Sequence, residues 1–171
     1  MKALLVIDML KDFIHEEGAL YVGPRGGELV PFINEKIRAF REEGSKIIFI
    51  CDFHERDDSE FEMFEPHCIA GTSGSDIIRE VDLMPEDKII KKRRYSAFFA
   101  TDLDISLREK GIHELHLVGV CTNICVLYTA ADARNLGYDV KVYRGGVASF
   151  DNSSHDFALR EMKQTLGCEV I

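Results

Sequence analysis

Short apolar runs alternate along this chain with segments whose apolar residues return every three or four positions. Residues 3–7, 47–51 and 115–120 carry such runs, the pattern of strands buried on both faces. After the first, ELVPFINEKIRAFREEG sets Val30, Ile33, Ile37 and Phe40 at helical spacing, with Pro31 suited to the first turn and Gly44 to the exit. Residues 88–92 are expected to add a third strand. Thr101 then caps a helix with Leu103 and Leu107 on one face, ended by Gly111. Past the 115–120 strand, a helix over 124–136 is closed by Gly137. Residues 140–143 read as a fifth strand, Asn152 or Ser153 as the cap of a last helix bearing Ala158, Met162 and Leu166, and 168–171 as a final strand. The alternation predicts one α/β domain over 1–171, a doubly wound, mostly parallel six-stranded sheet with helices on both faces. Residues 54–76 stand apart as a polar, acidic stretch with Gly and Pro. A connection of that length inside a compact domain is usually functional.

Composition changes this picture little: 46% hydrophobic and 30% charged residues over 171 positions describe an ordinary globular chain able to bury its own core. Charge says more. A formal net charge of −9 argues against a nucleic-acid or anionic-membrane partner, because phosphate binding is driven by Lys and Arg. The basic run Lys91-Lys92-Arg93-Arg94 must be read against that background. Five sparsely placed cysteines suit a reducing compartment, and no apolar stretch has the length of a signal peptide or membrane span. A soluble, cytoplasmic protein is expected.

In sheets of this kind, ligands bind at the carboxyl ends of the strands, near a switch in strand order. That rule selects Asp8 past the first strand, Asp52 and His54 past the second, Lys92 at the end of the third, and Cys121 to Cys125 past the fourth. Cys125, in VGVCTNICVLYTA, falls at the start of the predicted helix, where free amides favour a thiolate. A cysteine nucleophile needs a base and a positive group, and Asp8 and Lys92 are the candidates. Each also has a plainer reading, as a small buried thiol, a loop-capping acid or a solvated lysine. A Cys121–Cys125 redox pair is disfavoured because the known motif has a two-residue gap.

Asp52-x-His54 forms a second constellation, followed by Glu60 and His67. On an extended segment, residues two apart point the same way, so Asp52 and His54 can reach one ion. Oxygen and imidazole donors with open positions suit zinc, iron or manganese. A rival reading makes a closed structural zinc site of Cys51, His54, His67 and Cys68. It requires Cys51 to share a side with Asp52, which strand alternation opposes.

Three stretches, LLVIDMLKDF, KKRRYSAFFATDL and LVGVCTNICVLYTAADARNLGY, resemble the cysteine hydrolases of the isochorismatase-like superfamily, in that family's order and over nearly the whole chain. The resemblance implies a triad of Asp8, Lys92 and Cys125, with Cys125 as nucleophile. It also implies an oxyanion hole from the amides of Cys121 and Cys125, in a turn where the family often has a cis peptide, here between Val120 and Cys121.

CDFH and FEPHC resemble the nicotinamidase branch. That likeness implies one divalent metal, zinc first and iron or manganese otherwise, on Asp52, His54 and His67, with Glu60 as a further ligand. Phe13, Phe64 and Tyr95 would form the pocket for the ring of a small amide substrate. Asn123, where many relatives have Asp, and Glu65, in place of a proline, depart from the pattern. The implied reaction is nicotinamide hydrolysis to nicotinate and ammonia through a thioester. The alternatives are a metal-free hydrolase of a vinyl ether or another amide, and a non-catalytic metal-binding protein on the same fold. Relatives are often oligomers, so a homo-oligomer is expected. Of the basic run, Lys92 is expected to point inward, with Lys91, Arg93 and Arg94 on the rim or at an anionic product.

Overall fold

A computed structural model describes all 171 residues. Six strands form one all-parallel sheet: β1 (Lys2–Ile7), β2 (Lys46–Asp52), β3 (Lys88–Lys92), β4 (Glu114–Val120), β5 (Asp139–Ala148) and β6 (Glu169–Val170). Their order across the sheet is β3-β2-β1-β4-β5-β6, so the winding reverses between β1 and β4. This is the doubly wound architecture read from the alternation of elements, with its switch point at that pair.

The apolar runs lack alternation because both faces are covered. Ala3, Leu5 and Ile7 pack with α4 (Leu103–Arg108), α5 (Leu127–Asn135) and α6 (Asn152–Gln164). Leu4 and Val6 pack on the opposite face with α1 (Lys11–Ile14) and α3 (Val30–Glu42). Helix α3 buries Ile33, Ile37 and Phe40, starts with Pro31 in its first turn, and ends before Gly44 at φ 71°. No helix is long and apolar enough to cross a membrane.

At the switch point β4 comes unusually close to β1. Gly119 pairs with Ile7 at φ 112°, and a Cβ there would collide with the Ile7 carbonyl oxygen. Only glycine lets the two strands carry the ends that hold the site so near each other.

Several boundaries differ from the sequence reading. α1 and α2 (Pro24–Glu28) are single turns, too short to show a period. The fifth strand runs past 143 because three extra residues bulge out between the Leu117–Val142 and Gly119–Val147 pairs, around Arg144-Gly145-Gly146. The helix expected from 124 begins as a wide turn, Thr122–Val126, in which the Val126 amide reaches back to the Cys121 carbonyl. Asp151, not Asn152 or Ser153, caps the last helix, accepting from the amides of Ser153 and Ser154. Leu166 lies beyond that helix's end. Thr101 does accept from the Leu103 amide, but Asp102 holds the cap position of α4.

Candidate active site

Three strand ends bring their polar residues together at the carboxyl edge of the sheet. Asp8 follows β1 directly, at φ 52°, a left-handed conformation that Asp tolerates at some cost and that turns its side chain into the sheet's edge. Its amide donates to the Ile50 carbonyl at 2.8 Å, and its Oδ1 accepts the Asp52 amide at 2.9 Å. Lys92 ends β3 as the register partner of Asp52. Its Nζ lies 2.9 Å from Asp8 Oδ2 and 3.4 Å from Cys125 Sγ, and donates to Asp52 Oδ1. All four residues are buried. Cys125 stands within the wide turn after β4, rather than at a helix start. The Val120–Cys121 peptide is cis, and the Cys121 amide donates to no protein acceptor.

The charges follow from this packing. Burial, and after it the Asp52 carboxylate, push Asp8 up to about 6, against the pull of Lys92. Burial opposes the Lys92 ammonium, but Asp52 and Asp8 hold its pKa well above the ordinary value. Burial pushes the Cys125 thiol well up, with Lys92 pulling the other way. Burial also works against ionised Asp52, yet Lys92, with His54 and His67, keeps it well below the usual carboxylate range. The thiol thus sits beside a carboxylate of raised pKa and a fixed positive charge. Asp8 Oδ2 accepts no well-directed hydrogen bond, which leaves it open to a proton.

The acidic stretch after β2 is held by a short backbone pairing: His54 takes the Cys68 carbonyl at 3.0 Å and gives its own to the Ala70 amide at 2.8 Å. His54 Nε2 then lies 3.7 Å from Asp52 Oδ2 and 3.9 Å from Glu60 Oε1, and His67 Nε2 lies 3.8 Å from Asp52 Oδ2. His67 Nδ1 sits 2.7 Å from the Glu65 carbonyl, and His54 Nδ1 sits 3.1 Å from Asp58 Oδ2. Both partners only accept, so each Nδ1 donates, and each Nε2 is the nitrogen turned toward Asp52. Glu65 serves through its backbone, so the exchange of proline for Glu leaves this contact available.

These residues fit a metal ion. His54 Nε2 and Glu60 Oε2 are buried with no hydrogen-bond partner in the protein, and buried polar atoms left unpaired are costly unless something binds them. The donor separations of 3.7–3.9 Å are a few tenths wider than the roughly 3.4 Å edge of a zinc tetrahedron. Cys51 and Cys68 do not join the histidines. Cys51 packs in the cluster beneath α3, and the Cys68 thiol turns to the Gly74 carbonyl. All five cysteines are free.

Residues of the two groups line one cavity, Asp52, Glu60 and His67 from the one and Cys121 and Cys125 from the other, with Phe13, Phe64 and Tyr95. Phe13 and Phe64 stand 5.4 and 6.3 Å from the His67 ring, and Phe64 is edge-on to Tyr95. Leu20, Ile124 and Phe150 complete the lining and were not foreseen. Phe150 lies just beyond β5, where the strand-end rule would have found it had the strand's true end been visible. Asp12 was missed as well; its carboxylate accepts the Cys68 amide at 2.7 Å and ties the histidine loop to α1. Asn123 accepts from the Ser149 hydroxyl at the back of the Cys125 turn.

A doubly wound, all-parallel sheet with a buried thiol, carboxylate and lysine at its switch point sets the class: a parallel α/β protein with its polar centre at the strand ends. The chain belongs to the isochorismatase family, whose isochorismatase domain matches residues 2–171. It is similar to the pyrazinamidase/nicotinamidase of Streptococcus mutans, 38% identical, with a TM-score of 0.94 and 100% of both chains covered. The pyrazinamidase of Pyrococcus horikoshii in complex with zinc is 35% identical, with a TM-score of 0.93 over 99% of this chain and 98% of that one. A protein of Arabidopsis thaliana described as a probable inactive nicotinamidase is 34% identical over 172 residues, 94% of this chain and 87% of its own length.

Proposed function

We propose that this protein is a nicotinamidase, a metal-assisted cysteine hydrolase that converts nicotinamide to nicotinate and ammonia. The observation that carries the reading is that Asp52 and His67, of the Asp52–His54–His67 cluster, line one aromatic-walled cavity together with the Cys125 thiol. Asp52, His54 and His67, with Glu60 as a fourth, would hold a divalent ion, zinc by this donor set and iron or manganese otherwise. When bound, that ion supplies a Lewis-acid anchor for the pyridine nitrogen.

This chain's residues do the rest. Phe13, Phe64 and Tyr95 sandwich and orient the ring, which sets the carboxamide over Cys125. Asp8 takes the thiol proton, Lys92 favours the thiolate, and Sγ attacks the amide carbon. The Cys121 and Cys125 amides meet the oxyanion. The C–N bond breaks as Asp8 returns the proton to the departing nitrogen, leaving a thioester. Water, deprotonated by Asp8, attacks that thioester, nicotinate leaves, and the thiol is restored.

The test is ammonia release from nicotinamide by the purified protein, before and after chelation. Release lost on chelation and restored by zinc, iron or manganese supports the reading. No release from zinc-replete protein overturns the substrate assignment and favours a metal-free hydrolase of another amide or a vinyl ether.

A further inference from the structure

Beyond Lys92, the basic run at the end of β3 has no part in the reaction above. Lys91 stacks its ammonium 3.6 Å over the Phe53 ring. Arg93 and Arg94 leave 51% and 39% of their side chains in water, yet both guanidinium groups turn back onto one carboxylate whose own side chain is wholly buried. That carboxylate is Asp58. Arg93 Nε donates to its Oδ2 at 3.0 Å and Arg94 to its Oδ1 at 2.9 Å. The Glu60 amide donates to Oδ1 at 3.0 Å. The fourth contact is His54 Nδ1, 3.1 Å from Oδ2.

Four donors therefore converge on two oxygens, and two of the donors carry full positive charge. A carboxylate gripped by four donors is fixed as an acceptor, so its contact with Nδ1 sets the plane of the His54 ring. Two guanidinium groups also hold it in place, so it cannot swing forward into the cluster. His67 differs: its Nδ1 rests on a backbone carbonyl that no side-chain exchange can remove.

We propose that Asp58, clamped by Arg93 and Arg94, is a positioning residue that sets His54 as a metal donor. The inference rests on reading Asp52, His54 and His67 as a metal site. It assigns Arg93 and Arg94 to the loop that presents the histidines, instead of to an anionic product.

Zinc affinity tests it, measured on the purified protein by competition with a chromogenic chelator. Asp58→Ala should weaken zinc binding roughly 10–100-fold, the usual loss when a histidine ligand's outer partner is removed. A double Arg93→Gln/Arg94→Gln variant should shift it the same way by less. In a His54→Ala background, Asp58→Ala should add nothing, because its effect runs through that ring. Wild-type affinity in Asp58→Ala, beside weakened binding in His54→Ala, overturns the positioning role and leaves the metal site standing. Additive losses in the double variant also overturn it. Undiminished zinc binding in His54→Ala overturns the metal reading itself. Should Asp58→Ala fail to fold, the arginine variant decides, and unchanged affinity there overturns the clamp.

Discussion

The two halves of the candidate site are built by different means. Asp8, Lys92 and Asp52 hang from adjacent strands, and the register that pairs Asp52 with Lys92 places them before any side-chain contact forms. His54, Glu60 and His67 hang from a long connection. Their places depend on side chains reaching across it: Asp58 to His54, Asp12 to the Cys68 amide, and the arginines to Asp58. The contrast is between residues placed by sheet register and residues placed by side-chain hydrogen bonds across a loop. Sheet register is shared with the core and is expensive to alter, whereas a loop held by a few hydrogen bonds can be re-aimed.

The comparison can be broken most sharply at Cys125. Cys125→Ala should drop ammonia release to background, roughly 10³-fold or more, with zinc affinity within a few-fold of wild type. Loss of both together would show that the halves do not separate. Lys92→Met should cost about 3–5 kcal/mol in denaturant unfolding, because it strands the buried carboxylates of Asp8 and Asp52. His67→Ala in zinc-free protein should cost less than half of that; an equal cost would make the loop as structural as the strands. A smaller effect is expected at the tie between them. Asp12→Ala leaves the Cys68 amide without its acceptor and should destabilise the fold by about 1–3 kcal/mol, with weakened zinc binding. Gly74→Ala should imitate it in part, since a Cβ there meets the Asp12 carboxylate.

The smallest expected effect is in pH. Asp8 is raised to about 6 and, as the proposed base, would have to be ionised to take the thiol proton. kcat/KM should therefore level off above that value and fall about tenfold per unit below it. A flat pH–rate profile down to about pH 5 would place the base elsewhere.

The strand-borne half was the more legible in the sequence. Unalternating apolar runs located β1, β2 and β4, and the rule for parallel sheets then pointed to the residues just beyond them. Asp8, Lys92 and Cys125 meet in the structure because such strands end on one edge. The loop-borne half was legible only as a set of donor types. Asp58 and Asp12 were two acids among 30, and what distinguishes them is a partner 4 or 56 positions away. The ends of β5 and the start of the α5 region escaped for a different reason. A glycine pair reads as a break although the strand bulges past it, and a wide helical turn has no period of its own.

Asp52 belongs to both halves, and that has a thermodynamic cost. One of its oxygens holds Lys92 and the other faces the two histidines, so a single carboxylate answers two positive partners. What a cation at the histidines draws from that carboxylate is withdrawn from the lysine, and linkage makes the exchange reciprocal. In a thioester cycle the charge beside Lys92 changes as Cys125 is acylated and freed. In the cycle proposed above, the hold on a cation at the histidines would then tighten and loosen with the state of Cys125.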